Sequence, residues 1–174
     1  MCTIDFMKPI LILVCGLPGS GKSFFSKQLS KKIGVSHFNS DIIRKQLFPK
    51  ARTYSDTEKK MVYESLITQA KMCLKKGESV IIDATFYKNS LRTPFYDIAS
   101  QLNMGLKIIY IHAEESLVKK RTSKQRLDSE ADYTIYLNMK DTFEPIEKKY
   151  LAVQSTDNNI DFLLSEAILF LNQD

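Results

Sequence analysis

At 174 residues, the chain is long enough for one domain with a full-sized core. Its 44% hydrophobic and 26% charged composition is that of an ordinary globular protein, which excludes low-complexity and fibrous classes, and its net charge of +5 fits a phosphorylated or nucleic-acid partner without requiring one. No apolar run approaches the ~20 residues of a membrane span, no secretory leader is visible, and three cysteines without a C-x-x-C pair argue against a disulfide framework; the expectation is a reduced, cytoplasmic protein with no membrane partner.

In chain order, Ile10–Cys15 reads as a buried parallel strand because its apolar, β-branched run is continuous. It breaks into Gly16-Leu17-Pro18-Gly19-Ser20-Gly21-Lys22-Ser23, which matches the P-loop spacing G-x-x-x-x-G-K-[ST]. Glycines there let successive backbone N–H groups face one anion, and Pro18 stiffens the turn. Lys22 can reach the β- and γ-phosphates, and the Ser23 hydroxyl suits Mg²⁺, a hard cation. The expected nucleotide-binding set is Gly16, Pro18, Gly19, Ser20, Gly21, Lys22, Ser23 and Phe24. Phe24, Phe25, Leu29 and Ile33 then recur at helical spacing, and Gly34 closes that helix.

Val35–Asn39 is the expected second strand, and Ser40-Asp41 opens a short helix, Ile42–Leu47, stopped by Pro49. Asp41 at a strand tip, with Arg44 one turn later, would face the cleft in which a parallel sheet binds its ligands. A carboxylate there can take a proton from an attacking hydroxyl, or serve simply as an N-cap. The stretch Ile42–Ser55 has no acidic residue and carries Arg44, Lys45, Lys50 and Arg52, either an anion-facing edge or a basic loop.

Ser55-Asp56-Thr57-Glu58 has the capping-box pattern and begins a long helix whose stripe includes Met61, Val62, Leu66, Ala70, Cys73 and Leu74, closed by Gly77. Ser79–Ala84 is the third strand, with Asp83 at its carboxyl end in the Walker B arrangement and Thr85 beyond it. A helix over Asn89–Asn103 carries Arg92 near its start, and Leu106–Ile111 is the fourth strand. His37 and His112 have no partners at metal-ligand spacing, so zinc is not expected and both read as ordinary histidines.

Glu114–Leu127 is helical and increasingly basic through Lys119, Lys120, Arg121, Lys124 and Arg126. A stall at Asp128–Asp132 and a second helix, Tyr133–Glu144, complete what reads as a lid over about 114–134, or a solvated basic face. Arg121 and Arg126 lie five apart and would not share one face of a straight helix. Leu151–Gln154 is the last strand and Ile160–Leu171 the closing helix, with the loop Ser155–Asn159 where a base could rest. Strands alternating with helices give an α/β fold: a P-loop NTPase with a doubly wound, parallel, five-stranded sheet, helices on both faces and a helical lid.

The chain resembles the small P-loop kinases typified by the 5′-kinase domain of phage polynucleotide kinase, a group that includes zeta-toxin-like kinases and AAA-like kinase domains of bacterial fusion proteins. GLPGSGKS at Gly16–Ser23, SDIIR at Ser40–Arg44, DAT at Asp83–Thr85, Arg92, Arg121, Arg126, SEAD at Ser129–Asp132 and FEP at Phe143–Pro145 carry the resemblance. It implies ATP and Mg²⁺ as cofactors, Asp41 as general base, and Lys22 with Arg121 or Arg126 as catalytic cations. It further implies Ser23 and Asp83 at the metal, Asp83 alternatively supporting Arg44, and Arg44, Thr85 and Arg92 toward the acceptor. The acceptor is a 5′-hydroxyl polynucleotide end or a small metabolite or nucleotide-sugar. A nucleotide-dependent switch or adaptor is the alternative from another class. No phosphatase-like half is expected.

Overall fold

The computed structural model describes residues 8–50, 52–123 and 133–173. Five strands, β1 (Ile10–Cys15), β2 (Ser36–Asn39), β3 (Val80–Asp83), β4 (Gly105–His112) and β5 (Leu151–Gln154), form one parallel sheet in the order β2-β3-β1-β4-β5. The continuous apolar run of β1 is explained by its central place. Leu11, Leu13 and Cys15 enter the core on one face, while Ile10, Ile12 and Val14 enter the core on the other.

Among the described residues six helices lie between the strands, α1 (Lys22–Ile33), α2 (Ser40–Leu47), α3 (Asp56–Lys75), α4 (Asn89–Gln101), α5 (Glu115–Thr122) and α6 (Tyr133–Asp141), and α7 (Ile160–Leu171) follows β5. On one face α3 and α4 contribute Val62, Leu66, Phe95 and Ile98; on the other α1 and α7 contribute Phe25, Leu29, Leu163 and Ala167. The sheet is doubly wound, as the alternation predicts. A third, smaller cluster joins Leu17 of the glycine turn to Val118 of α5 and Tyr136 of α6. Because every strand is parallel, all five carboxyl ends open on one edge of the sheet, where ligands bind in such folds.

Phe24 and Met61 share the helical spacing of their apolar neighbours, yet they are 59% and 44% exposed, each one position off the face that packs. The helix after Gly105's strand is described only over Glu115–Thr122; Lys124, Arg126 and SEAD at Ser129–Asp132 lie outside the described residues, as does much of the expected lid. The capping box at Ser55 closes on one side only: Ser55 Oγ accepts from Glu58 N at 3.3 Å, but the Glu58 carboxylate is spent elsewhere. Among the described residues, no helix is long and apolar enough to cross a membrane.

Candidate active site

The glycine turn sits between β1 and α1. Gly16 N donates to Thr85 O at 3.3 Å and Ser20 N to Leu17 O at 3.1 Å, which ties the turn to the end of β3 and to itself. A Cβ on Gly16 would lie 2.4 Å from Ile111 O, so only glycine fits against β4. Gly21 precedes α1 with φ 88 in the left-handed region and offers no side-chain cap. The first N–H groups of α1 are therefore left for an anion. Phe24 belongs to that first turn through its backbone, since its side chain faces outward. Lys22 is buried, and Ser20 Oγ is buried with no hydrogen-bond partner among the described residues.

Beside the turn, the ends of β2 and β3 supply a polar group that the sequence did not announce. The register places Asn39 opposite Asp83. Asn39 Nδ2 donates to Asp83 Oδ2 at 2.6 Å and to Ser23 Oγ at 3.0 Å, while its Oδ1 caps α2 by accepting from Asp41 N and Ile42 N. His37 Nε2 lies 3.3 Å from the same Asp83 oxygen, so this histidine, an ordinary one by its spacing in the sequence, braces the Asp83 carboxylate. The N-cap is Asn39 rather than Asp41, which leaves the Asp41 carboxyl unspent on capping.

The two aspartates are displaced in opposite directions. Burial pushes the Asp41 carboxyl up from its ordinary value, with the neighbouring Asp83 charge adding to it and Lys22 opposing. Burial would also raise Asp83, but the His37 hydrogen bond, the Lys22 charge and Asn39 outweigh it and hold the carboxyl low. Asp83 Oδ1 is buried and has no partner among the described residues. An orphaned carboxylate oxygen and a serine hydroxyl are the donor types Mg²⁺ takes, so Ser23 and Asp83 fit that ion. Among the described residues no cluster of three or more His, Cys, Asp or Glu could hold a metal by itself.

Arg44 is placed beside this group but turned into the protein. It is 7% exposed, its Nη1 lies 3.3 Å from Glu58 Oε2, and its guanidinium stacks 4.7 Å from the centre of the Tyr54 ring. Its Nε is buried with no partner among the described residues. Asp83 bonds His37 and Asn39 rather than Arg44, which corrects the alternative that it supports the arginine. Cys15, an apolar strand residue in the sequence reading, is buried, and burial pushes its thiol up to about 12, so it is inert.

One expected acceptor contact is corrected, that of Arg92. Arg92 is completely buried; it donates to Phe86 O at 2.7 Å, Glu144 O at 3.0 Å, Pro145 O at 2.7 Å and to Asn89 Oδ1, clamping the FEP segment to α4. It has no face left for a substrate. Thr85 is half-buried and braces the glycine turn through its carbonyl. Nothing in the local sequence distinguishes Arg92 from a surface arginine, because the two acceptors that tie it to the FEP segment lie 52 and 53 residues away.

Arg121 is docked onto the nucleotide turn. It donates to Gly19 O at 3.3 Å, Ser155 Oγ at 2.8 Å and Thr156 O at 2.9 Å, and pairs with Asp157. Ser155 Oγ in turn donates to Ser20 O at 2.6 Å. The arginine thus locks the turn to the loop after β5. Arg126 lies outside the described residues.

A family profile described as an AAA domain matches residues 11–146. The L-seryl-tRNA(Sec) kinase of Methanococcus maripaludis is 31% identical over 94% of this chain and 66% of its own length. A protein of Acanthamoeba polyphaga mimivirus, described as a bifunctional polynucleotide phosphatase/kinase, is 31% identical over 64% of this chain and 23% of its own length. The chain thus spans 66% and 23% of the lengths of these two curated relatives. Among solved structures, the Mycobacterium tuberculosis APS kinase in complex with AMPPNP and APS superposes with a TM-score of 0.72 at 16% identity, covering 95% of this chain and 99% of the other, which is a likeness of fold.

Proposed function

The chain belongs to the AAA domain family, and on that footing we propose that it is an ATP-dependent kinase that passes the γ-phosphoryl group to a hydroxyl acceptor. The observation that carries this reading is the junction at the end of β2, where Asn39 joins Ser23 of the glycine turn to Asp83 and caps the helix that bears Asp41. Beside it, burial raises the Asp41 carboxyl while His37, Lys22 and Asn39 lower that of Asp83. Neighbouring acids pushed apart in this way divide acid–base work from charge work. A base is most effective when its pKa lies toward the operating pH, and burial moves Asp41 in that direction.

In the proposed step the Asp41 carboxylate takes the acceptor hydroxyl's proton as the acceptor oxygen bonds to the γ-phosphorus. The bond from that phosphorus to the β–γ bridging oxygen breaks, and ADP leaves. Lys22 offsets charge on the phosphate oxygens. When bound, Mg²⁺ held by Ser23 and Asp83 would supply further neutralisation there. Arg121 is occupied by Gly19 and the loop after β5, so Arg126 is the arginine proposed for the transferred group.

The acceptor proposed is a hydroxyl carried on a nucleic acid. The two curated relatives described above are named for such acceptors, and the stretch from Lys45 to Arg52 carries basic residues and no acidic one. A panel of 5′-hydroxyl DNA and RNA oligomers, seryl-tRNA, nucleosides and sugars incubated with γ-labelled ATP tests this. Label on the nucleic acids supports it; label only on small molecules moves the acceptor class, and hydrolysis with no labelled acceptor favours a switch ATPase. With the acceptor in hand, Asp41→Asn should lower transfer by about 10²–10⁴-fold while ATP binding stays near wild type. Unchanged transfer would remove Asp41 as the base.

A further inference from the structure

We propose that Asn39 is a positioning residue whose side-chain amide aligns the metal-facing oxygens of Ser23 and Asp83 and, through the same group, sets the start of the helix that carries Asp41. The inference rests on the kinase reading only in supposing a Mg²⁺–nucleotide ligand at this site.

A helix cap needs one acceptor, and Asn39 supplies it twice over through Oδ1, at 2.9 Å from Asp41 N and 3.0 Å from Ile42 N. The two donated bonds, to Asp83 and Ser23, are surplus to capping. An asparagine amide has two hydrogens and two acceptor sites, and all four are used. Rotating the amide by half a turn would set its oxygen against the Asp83 carboxylate and its hydrogens against two backbone N–H groups. The surroundings therefore fix one orientation of a side chain that is 4% exposed.

That orientation decides which oxygens remain for a ligand. Asp83 Oδ2 takes Asn39 and His37, leaving Oδ1 buried and without a partner among the described residues. One lone pair of Ser23 Oγ takes the second amide hydrogen, leaving the other for a cation and the hydroxyl hydrogen for an anion. The oxygens that a hard cation would take are those remaining once Asn39 has claimed the rest. Aspartate could cap the helix but would bring a second charge against Asp83, and serine could cap it but has no amide hydrogens to donate.

The test uses Asn39→Ser, which keeps a capping oxygen and removes the two donors. Calorimetric affinity for AMPPNP is measured in EDTA and in Mg²⁺. The metal-free affinity should stay within about twofold of wild type, while the gain in affinity on adding Mg²⁺ should shrink about tenfold or more. A gain equal to that of wild type would overturn the assignment, as would a wild-type protein whose nucleotide affinity ignores Mg²⁺. A role confined to capping would lower the unfolding midpoint and leave the gain intact. Should the variant fail to fold, the Asn39 side-chain NH₂ resonances of ¹⁵N-labelled wild type in complex with AMPPNP must shift on adding Mg²⁺, and constancy would overturn the proposal. A wild type that couples Mg²⁺ to AMPPNP yet phosphorylates no acceptor would sink the kinase reading alone.

Discussion

Arg44 and Glu58 meet at 3.3 Å, both almost removed from solvent, and the pair joins the helix carrying Asp41 to the start of α3. Glu58 is also the anchor of the preceding turn: its carboxylate accepts from Thr53 N, Thr53 Oγ1 and Tyr54 N at 2.8–2.9 Å. The Thr53 backbone bond foremost, with the other donors and Arg44 opposing burial, holds its carboxyl below the usual value. A lowered carboxylate contributes stability that is complete above its unfolded value of 4.5 and is withdrawn as pH falls through the folded one. Glu58→Gln should therefore lower the urea midpoint at pH 7, with the gap to wild type closing only below pH 4.5. A gap that does not change with pH would show that the charge of Glu58 is not what stabilises the turn.

Asp41 has the opposite sign. Its folded pKa is raised, chiefly by burial, so the ionised form destabilises the fold as pH rises above the unfolded value of 3.8. Asp41→Asn should be more stable than wild type at pH 7 and converge with it in strong acid, even as transfer is lost. Denaturant curves at both pH values check this, and a variant less stable at pH 7 would contradict the assigned environment.

Arg92 acts as a clamp in this fold, and its loss should be felt in stability rather than binding. Arg92→Ala leaves the buried carbonyls of Phe86, Glu144 and Pro145 without their donor, at a cost of about 3 kcal/mol or more. Nucleotide affinity of the remaining folded protein should match wild type. A substrate-affinity loss at unchanged stability would restore the substrate role that the sequence suggested.

Arg121 should act on nucleotide affinity. With its bonds to Gly19 O and Ser155 Oγ removed, Arg121→Ala frees the turn from the loop after β5, and AMPPNP binding should weaken about tenfold or more, by at least ~1.4 kcal/mol. Transfer at saturating ATP should change little. A drop confined to kcat would place Arg121 on the transferred group instead.

The glycine turn, the strand and helix alternation, and the termini of β1, β5 and α7 were legible in the sequence because each depends on local physics: a run of β-branched residues, a Gly-x-x-x-x-Gly-Lys-Ser spacing, a helical apolar stripe. The opposing fates of Arg44, Arg92 and Arg121 were not, since three arginines look alike until their acceptors arrive from elsewhere in the chain. Asn39 is the sharpest case. Alone it is a good helix cap; only the parallel register of β2 on β3 brings Asp83 from 44 residues away and the helix after the glycine turn brings Ser23 from 16. The chain by itself determined that a phosphate cradle exists, because backbone amides in a tight turn need no distant partner. Which carboxylate is proton-hungry and which is held charged was decided by burial and by donors that only the folded sheet edge assembles.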